Sequence, residues 1–370
     1  MHLILFTAVI ISLVALSICK KDEYIVRTTD NFNISSLPIN FEVKGEFDFG
    51  PGFRGFVAKL SPLAINAIKK NNDIIGVTRS ELVIPPPTAV NNNYIYKHQQ
   101  NNVTWGLDIL DGVLDHKYVY EGDGSGVDVY IVDSGIDVNH KEFEGRAKWG
   151  YPNDHQEDEM GHGTHVAGII GSKTYGVAKK CTLIAVRVLG ANGGYSADIL
   201  TGLSYIIKSA KKSGKPSVVN MSMTSFTPQK DINDAAAAVL KSGIAFVTAS
   251  GNQGADSCRV SPSMVPGIMS VAASDKDDVY WESSNSGPCC KVVAPGVDVL
   301  STCIKSEGLV CEKTGTSMAS PHVAGVLAQA YSTHKFEDVS AAFEYVLSKS
   351  RRDVLKGDLK KTPNIFIKAL

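Results

Sequence analysis

Four residues in four short segments have the types needed for acyl transfer: Asp133, His162, Asn252 and Ser317. Ser317 sits in Gly315-Thr316-Ser317-Met318-Ala319-Ser320-Pro321-His322, where a glycine-marked turn meets an apolar, helix-compatible run from Met318 to Tyr331. A serine at a helix N-terminus faces outward beside backbone N–H groups that lack helical partners, which suits a nucleophile whose reaction develops negative charge. Serine is also a preferred N-cap, so the position alone leaves both readings open. His162 lies in Gly161-His162-Gly163-Thr164-His165-Val166-Ala167-Gly168, and its proton affinity suits a general base near neutral pH. Histidines three apart also suit a helical metal pair, but this segment has no cysteine or acid spaced to complete a zinc site, and no metal is expected.

Asp133 closes the β-branched run Val127-Asp128-Val129-Tyr130-Ile131-Val132. A buried carboxylate there can hold an imidazole in one tautomer and stabilise its cation, although aspartate also caps turns and helices. Asn252 follows a strand-like run, in Ala249-Ser250-Gly251-Asn252-Gln253-Gly254. Its amide can donate to a developing oxyanion, while Gly-Asn after a strand also makes a plain turn.

The elements that must position these residues alternate. Strand-like runs at 127–132, 182–188, 217–219 and 244–248 are separated by helical spacing over 197–208 and 231–240. Strands spaced by helices of this length predict an α/β fold, a mainly parallel sheet with right-handed crossovers and helices on both faces. Ligands of such sheets sit at the carboxyl ends of the strands, where Asp133 and Asn252 fall.

At 370 residues the chain can bury a large core, and 37 Lys and Arg against 38 Asp and Glu give no general attraction to nucleic acid or an anionic membrane. Residues 1–19 read as a signal peptide: Leu3 to Ile18 is almost wholly apolar, then comes Cys19 and the charged run Lys20-Lys21-Asp22-Glu23. The run is shorter than the roughly 20 residues a membrane span wants. A secreted or extracellular chain follows, in a compartment where cysteines pair. Cys303 and Cys311 bracket a short segment bent at Gly308 and suit a hairpin staple. Asn33 and Asn102 begin exposed glycosylation sequons, while Asn220, after a strand-like run, should be buried and unmodified.

Residues 20–90 form a module of their own. Phe41, Val43, Phe47 and Phe49 alternate as in a half-buried strand, and Ser61-Pro62 opens a helix with Leu63, Ala64, Ala67 and Ile68 on one face. Residues 73–77 resume a strand. Ile84-Pro85-Pro86-Pro87 and Asn91-Asn92-Asn93 read as an exposed linker, before a larger domain taken as 91–370.

The order Asp, His, Asn, Ser, each in a glycine-marked turn or at an element end, resembles the subtilisin family of serine peptidases, most nearly its proteinase K branch. The resemblance is carried by Ile131-Val132-Asp133-Ser134-Gly135, His162 to Gly168 and Gly315 to Ala319, with Tyr175 to Lys180 and His140 to Arg146 pointing to the branch. It implies Ser317 as nucleophile, His162 as base, Asp133 as its orienter, and Asn252 with the Ser317 N–H as oxyanion hole. It implies His165 as structural, and a substrate strand flanked by Gly193, Gly194 and Tyr195 on one side and Ser222, Met223 and Thr224 on the other, with Ser250 and Gly251 nearby. The 20–90 module resembles the family's inhibitor prodomain, most clearly in Gly55 to Leu60, with the usual first helix short or missing. The implied protein is a secreted, monomeric endopeptidase made as a zymogen and inhibited by its own prodomain, with peptides or proteins as substrates and no cofactor for its chemistry. An inactive, peptide-binding relative would need none of the four residues.

The chain also departs from its relatives. Ser222-Met223-Thr224-Ser225 stands where Ser-Leu-Gly-Gly is common, so a narrower or reshaped P1 pocket is expected. Asp198 stands where an apolar residue usually lines the P4 pocket; it suits a basic P4 preference or, as expected here, a solvated helix surface. Lys291 replaces an aspartate that helps hold calcium in such relatives, so that site is expected to be lost. The resemblance implies a Cys258–Cys289 bridge, leaving Cys181 and Cys290 as a third bridge or as buried thiols.

Overall fold

In the computed structural model, residues 22–37, 41–83, 89–91, 103–112, 114–152 and 155–370 are described, and the chain divides into two compact units, 1–81 and 82–370. The expected signal peptide and Asn102 lie outside the described residues. The first unit holds β1 (Asp22–Thr28), β2 (Glu42–Asp48), β3 (Arg54–Leu60), α1 (Pro62–Ile68) and β4 (Ile74–Arg79), in a sheet of order β2-β3-β1-β4. Between β1 and β2 a single 3-10 turn, Ile34–Ser36, stands where a first helix would be; exposed Asn33 caps it.

Ser61 caps α1, accepting from the Ala64 N–H at 3.2 Å, and Pro62 takes the first position, where no N–H is needed. Ala64 and Ile68, one turn apart, join Val26, Phe56 and Leu60 in a small core. Two expected inward residues face out instead. Leu63 is 82% exposed, because it lies about 100° around the helix from the Ala64–Ile68 stripe. Val43 is exposed because the register of β2 shifts between Val43 and Gly45, and one extra residue reverses the faces.

The second unit starts with two short strands, β5 (Leu82–Val83) and β6 (Ala89–Asn91), and helix α2 (Trp105–Asp108). An exposed linker is expected over this stretch from its prolines and asparagines. The two strands form because pairing uses backbone groups and asks nothing of the side chains. There follow β7 (Asp128–Asp133), β8 (Ala147–Tyr151), α3 (His162–Gly171), β9 (Thr182–Arg187), β10 (Gly194–Tyr195), α4 (Ser196–Ser213), β11 (Ser217–Met221), α5 (Lys230–Lys241) and β12 (Ala245–Ala249). The remainder is β13 (Met269–Ser274), β14 (Cys290–Pro295), β15 (Val299–Thr302), β16 (Val310–Thr314), α6 (Thr316–Thr333), α7 (Val339–Lys349), β17 (Arg351–Arg352) and β18 (Ile365–Phe366).

Among the described residues nine strands make the central sheet, in the order β17-β18-β14-β13-β12-β11-β7-β9-β8. All of its pairings are parallel except β17 with β18. Every residue of β7, β11, β12 and β13 is buried, as expected of parallel strands covered on both faces. Helices α3 and α6 pack together, and α4 packs with α5. Among the described residues no helix is long and apolar enough to cross a membrane.

Candidate active site

Three neighbouring strands of the sheet end at the site. β7 ends in Asp133, β11 runs into Ser222, and β12 runs into Ser250-Gly251-Asn252. The fourth contribution, Ser317, is the second residue of α6. There its N–H belongs to the first helical turn, which has no preceding carbonyl to bind. It is not the N-cap; Gly315 holds that place.

Asp133 and His162 are buried, and His162 Nδ1 lies 2.8 Å from Asp133 Oδ1, which also accepts from the Ser134 N–H at 2.8 Å. The carboxylate selects the tautomer with the proton on Nδ1 and leaves Nε2 as the basic nitrogen. Nε2 is buried and has no hydrogen-bond partner among the described residues. The Ser317 hydroxyl donates to the Ser222 carbonyl at 3.0 Å.

Ser222 holds Ser317 twice. Pro321, four residues along α6, has no N–H to give the Ser317 carbonyl. The Ser222 hydroxyl donates to that carbonyl instead, at 2.9 Å. The same hydroxyl accepts from Asn220 Nδ2 at 2.9 Å and lies 2.8 Å from Ser320 Oγ. Asn220 is fully buried, as its sequence setting predicts. Asn252 is fixed by its oxygen: Oδ1 accepts from the Thr316 N–H at 2.9 Å and from Thr316 Oγ1 at 2.6 Å. An amide held by its carbonyl end presents its NH2 end on the other side. Gly251, at φ 106°, donates its N–H to Thr316 Oγ1 at 3.1 Å, and Ser250 is buried against the Asn285 carbonyl.

The sequence reading missed Asp158. It is buried and collects five donors: Ser134 Oγ (2.8 Å), Met160 N (3.2 Å) and Gly161 N (2.8 Å) at Oδ1, and Thr164 N (2.9 Å) and Thr164 Oγ1 (2.5 Å) at Oδ2. Burial raises its carboxyl above the usual range, and these donors act in the opposite direction. Asp158 thereby ties the N-terminus of α3, which carries His162, to the residue after Asp133. Its flanks, Glu157 and Glu159, are exposed acids, so composition alone gave no reason to choose the middle one.

The segment expected to flank a substrate is present as β10. Gly194 must be glycine, since a Cβ there would sit 2.0 Å from the Val188 carbonyl oxygen. Gly193, at φ 94°, pairs with Gly190. Met223 and Thr224 are buried beyond Ser222. Asp198 departs from its expected solvated setting. It is half-buried, takes the Tyr195 N–H at 3.4 Å as part of the α4 cap, and its carboxyl is shifted upward by burial.

Both expected disulfides are present, Cys258–Cys289 and Cys303–Cys311. Cys181 and Cys290 are free and buried, and burial pushes the Cys181 thiol up to about 12. His165 lies within 4.8 Å of the Cys303 and Cys311 sulfurs, but these are joined to each other and offer no thiolate. Its Nε2 instead faces the Val299 and Cys311 carbonyls at 3.0 and 3.1 Å. Lys291 donates to the Pro288 carbonyl at 3.0 Å.

The profile of the subtilase family of peptidases matches residues 124–355. The subtilisin-like proteinase Spm1 of Pyricularia oryzae is 35% identical over 349 residues, 88% of this chain and 64% of that protein. The subtilase-type proteinase psp3 of Schizosaccharomyces pombe is 36% identical over 345 residues, 88% of this chain and 73% of its own. Cerevisin of Saccharomyces cerevisiae is 35% identical across a match that covers 94% of this chain and 58% of its own. The crystal structure of a cold-adapted subtilisin-like serine proteinase superposes with a TM-score of 0.69 at 34% identity, over 73% of this chain and 99% of that one. The chain belongs to the subtilase family, and it spans less than two thirds of the length of Spm1 and of cerevisin.

Proposed function

We propose that this protein is a secreted serine endopeptidase made as a zymogen, with Ser317, His162 and Asp133 as its catalytic triad. The observation that carries this reading is the buried 2.8 Å contact between Asp133 and His162 Nδ1, which leaves Nε2, without a hydrogen-bond partner among the described residues, available as the base. Nε2 takes the Ser317 proton as Oγ attacks a peptide carbonyl. The resulting oxyanion is stabilised by the Asn252 amide and the Ser317 N–H, and the imidazolium then protonates the leaving amine. Water hydrolyses the acyl-enzyme by the same steps in reverse. Residues 20–90 act as an inhibitor prodomain until removed, the peptidase domain runs from about residue 91, and the mature protein is monomeric and glycosylated at Asn102, with Asn33 a site on the prodomain.

A fluorophosphonate probe tests the assignment. The secreted protein, freed of its prodomain, should label at Ser317, and Ser317→Ala should abolish labelling and lower kcat by about a million-fold, the scale of loss when a triad nucleophile is removed. A wild type that stays unlabelled removes the reading.

No cofactor enters this chemistry, and calcium is not held at Lys291. An ammonium whose Nζ already binds the Pro288 carbonyl repels a dication and takes one of the oxygens it would need. Added calcium should therefore leave the thermal unfolding midpoint where chelator puts it; a rise of several degrees would contradict this.

A further inference from the structure

A hairpin that supplies none of the four site residues is bound to the helix of the base. Strands β15 and β16 pair antiparallel, from Val299 with Lys313 to Thr302 with Val310, and the Cys303–Cys311 disulfide closes the loop between them. From this hairpin Thr302 Oγ1 donates to the Thr164 carbonyl and Ser301 Oγ to the His165 carbonyl, both at 2.8 Å. His165 Nε2 in turn faces the Val299 and Cys311 carbonyls of the same hairpin. At its tip, His140 Nε2 lies 3.0 Å from the Leu309 carbonyl. The hairpin and the first turns of α3 are therefore one tied unit.

Within that unit stands a charge pair that packing alone does not call for. Lys313 Nζ donates to Glu307 Oε1 at 2.6 Å, and the lysine side chain is only 3% exposed. Desolvating an ion pair usually costs as much as its attraction returns, and apolar residues would fill the space at least as well. The other oxygen of Glu307, Oε2, is buried and has no hydrogen-bond partner among the described residues. It faces Gly161: a Cβ on that glycine would run into Oε2, with Glu307 Cδ and Ile304 just behind. Gly161, at φ 74°, is the N-cap of α3 and directly precedes His162. Its N–H goes to Asp158 Oδ1 at 2.8 Å and its carbonyl takes the His165 N–H at 3.2 Å, so Glu307 closes a third side of the same residue. The start of a helix carries partial positive charge, and a carboxylate is favoured there.

From this geometry we infer that Glu307 is a positioning residue for the peptidase reaction: it fixes the turn before His162 and favours the imidazolium that His162 becomes, while Lys313 holds the carboxylate in place. The inference rests on the proposed triad, with His162 as its base. When Ser317 Oγ attacks a carbonyl, its proton passes to His162 Nε2 and the ring becomes a cation. A carboxylate held beside the neighbouring residue lowers the energy of that cation, and a buried ammonium raises it. The other charged and titratable groups around His162 have their own partners. Asp133 meets Nδ1, and Asp158 takes the donors at the start of α3. Arg187 pairs with Glu159, which also meets His155, and Glu157 is exposed. His165 on α3 and His322 on α6 are buried and shifted towards their neutral forms, and Lys313 is one of the charges that push His165 that way.

The test is the rate at which a fluorophosphonate probe labels Ser317 in the secreted, processed protein, followed from about pH 5 to about pH 9. The rate falls on the acid side as the base takes up a proton. Glu307→Gln leaves the ammonium of Lys313 alone beside α3. The acid limb should then move to lower pH by about half a pH unit or more, less than the roughly 1–3 of a charge in direct contact, and the plateau rate should drop severalfold. Lys313→Met leaves the carboxylate alone and should move the limb to higher pH. The double variant should lie between the two, with a plateau still below that of the wild type. Opposite shifts are what a simple loosening of the turn does not give. A limb at the wild-type position in a folded Glu307→Gln, or shifts of the same sign in both single variants, overturns the inference and leaves the peptidase reading standing. Should Glu307→Gln not fold, the double variant, which leaves no charge unpaired, carries the test, and a limb and plateau both unchanged there overturn the inference. A wild type that never takes the label overturns the peptidase reading itself, and the inference with it.

Discussion

At the scale of single residues, Ser222 does more than its sequence suggests. From the resemblance it is a backbone position beside the substrate, yet its hydroxyl is what allows a proline so near the start of α6. Pro321 takes away the N–H that would have closed the helix on the Ser317 carbonyl, and Ser222, just past the end of β11, supplies the donor. A sequence reading finds Pro321 inside a helical run but has no means of knowing which side chain faces the orphaned carbonyl. Ser222→Ala leaves that carbonyl, the Asn220 amide and the Ser320 hydroxyl short of a partner in a site that excludes water. An unmade buried hydrogen bond costs roughly 1–3 kcal/mol. The variant should unfold at lower temperature and lower denaturant concentration, with kcat reduced and KM little moved. Melting curves and steady-state kinetics check this, and unchanged values in both would show that the hydroxyl carries no strain from α6.

At the scale of elements, legibility followed the physics of each signal. The strands β7, β9, β11 and β12 and the helices α4 and α5 were readable because a buried parallel sheet needs unbroken apolar runs and its helices need amphipathic spacing. The start of α1 was readable from Ser61-Pro62, a local signal. Leu63 and Val43 were misplaced because helix phase and a bulge are set by contacts beyond the segment. Strands β5 and β6 were missed because backbone pairing carries no side-chain code. Asp158 belongs here as well, for it joins β7 to α3. Asp158→Asn replaces an acceptor oxygen by an NH2 that faces one of its donors. We expect a loss of roughly 1–3 kcal/mol in stability together with a lower kcat, as the α3 N-terminus no longer holds His162 in line with Asp133. Asp158→Glu, which keeps the charge but lengthens the side chain, should lose less if charge is what matters and as much if reach is. Denaturant unfolding of both variants separates the two.

At the scale of the whole molecule, the nine-stranded sheet and its helices bury histidines that no reaction uses, and this sets how the fold answers acid. His322 is buried in α6 with Nδ1 2.8 Å from the Met318 carbonyl, and burial pushes it down to about 4 from an ordinary 6.5. His165 is fully buried and shifted well downward for the same reason. Above about pH 6.5 both imidazoles are neutral in folded and unfolded chains alike, and the fold keeps its full stability. As pH falls from 6.5 towards 4, the unfolded chain binds protons that the folded one refuses, so stability is lost across that window. For His322 alone the shift corresponds to about 3 kcal/mol. The free energy of unfolding, measured by denaturant titration at intervals between pH 7 and pH 4, should therefore fall steeply. In His322→Leu the same decline should be shallower by about that amount, whatever the variant does to stability at pH 7. Parallel declines in the two proteins would mean that His322 takes up its proton as readily folded as unfolded, and that α6 opens to water without the rest of the fold.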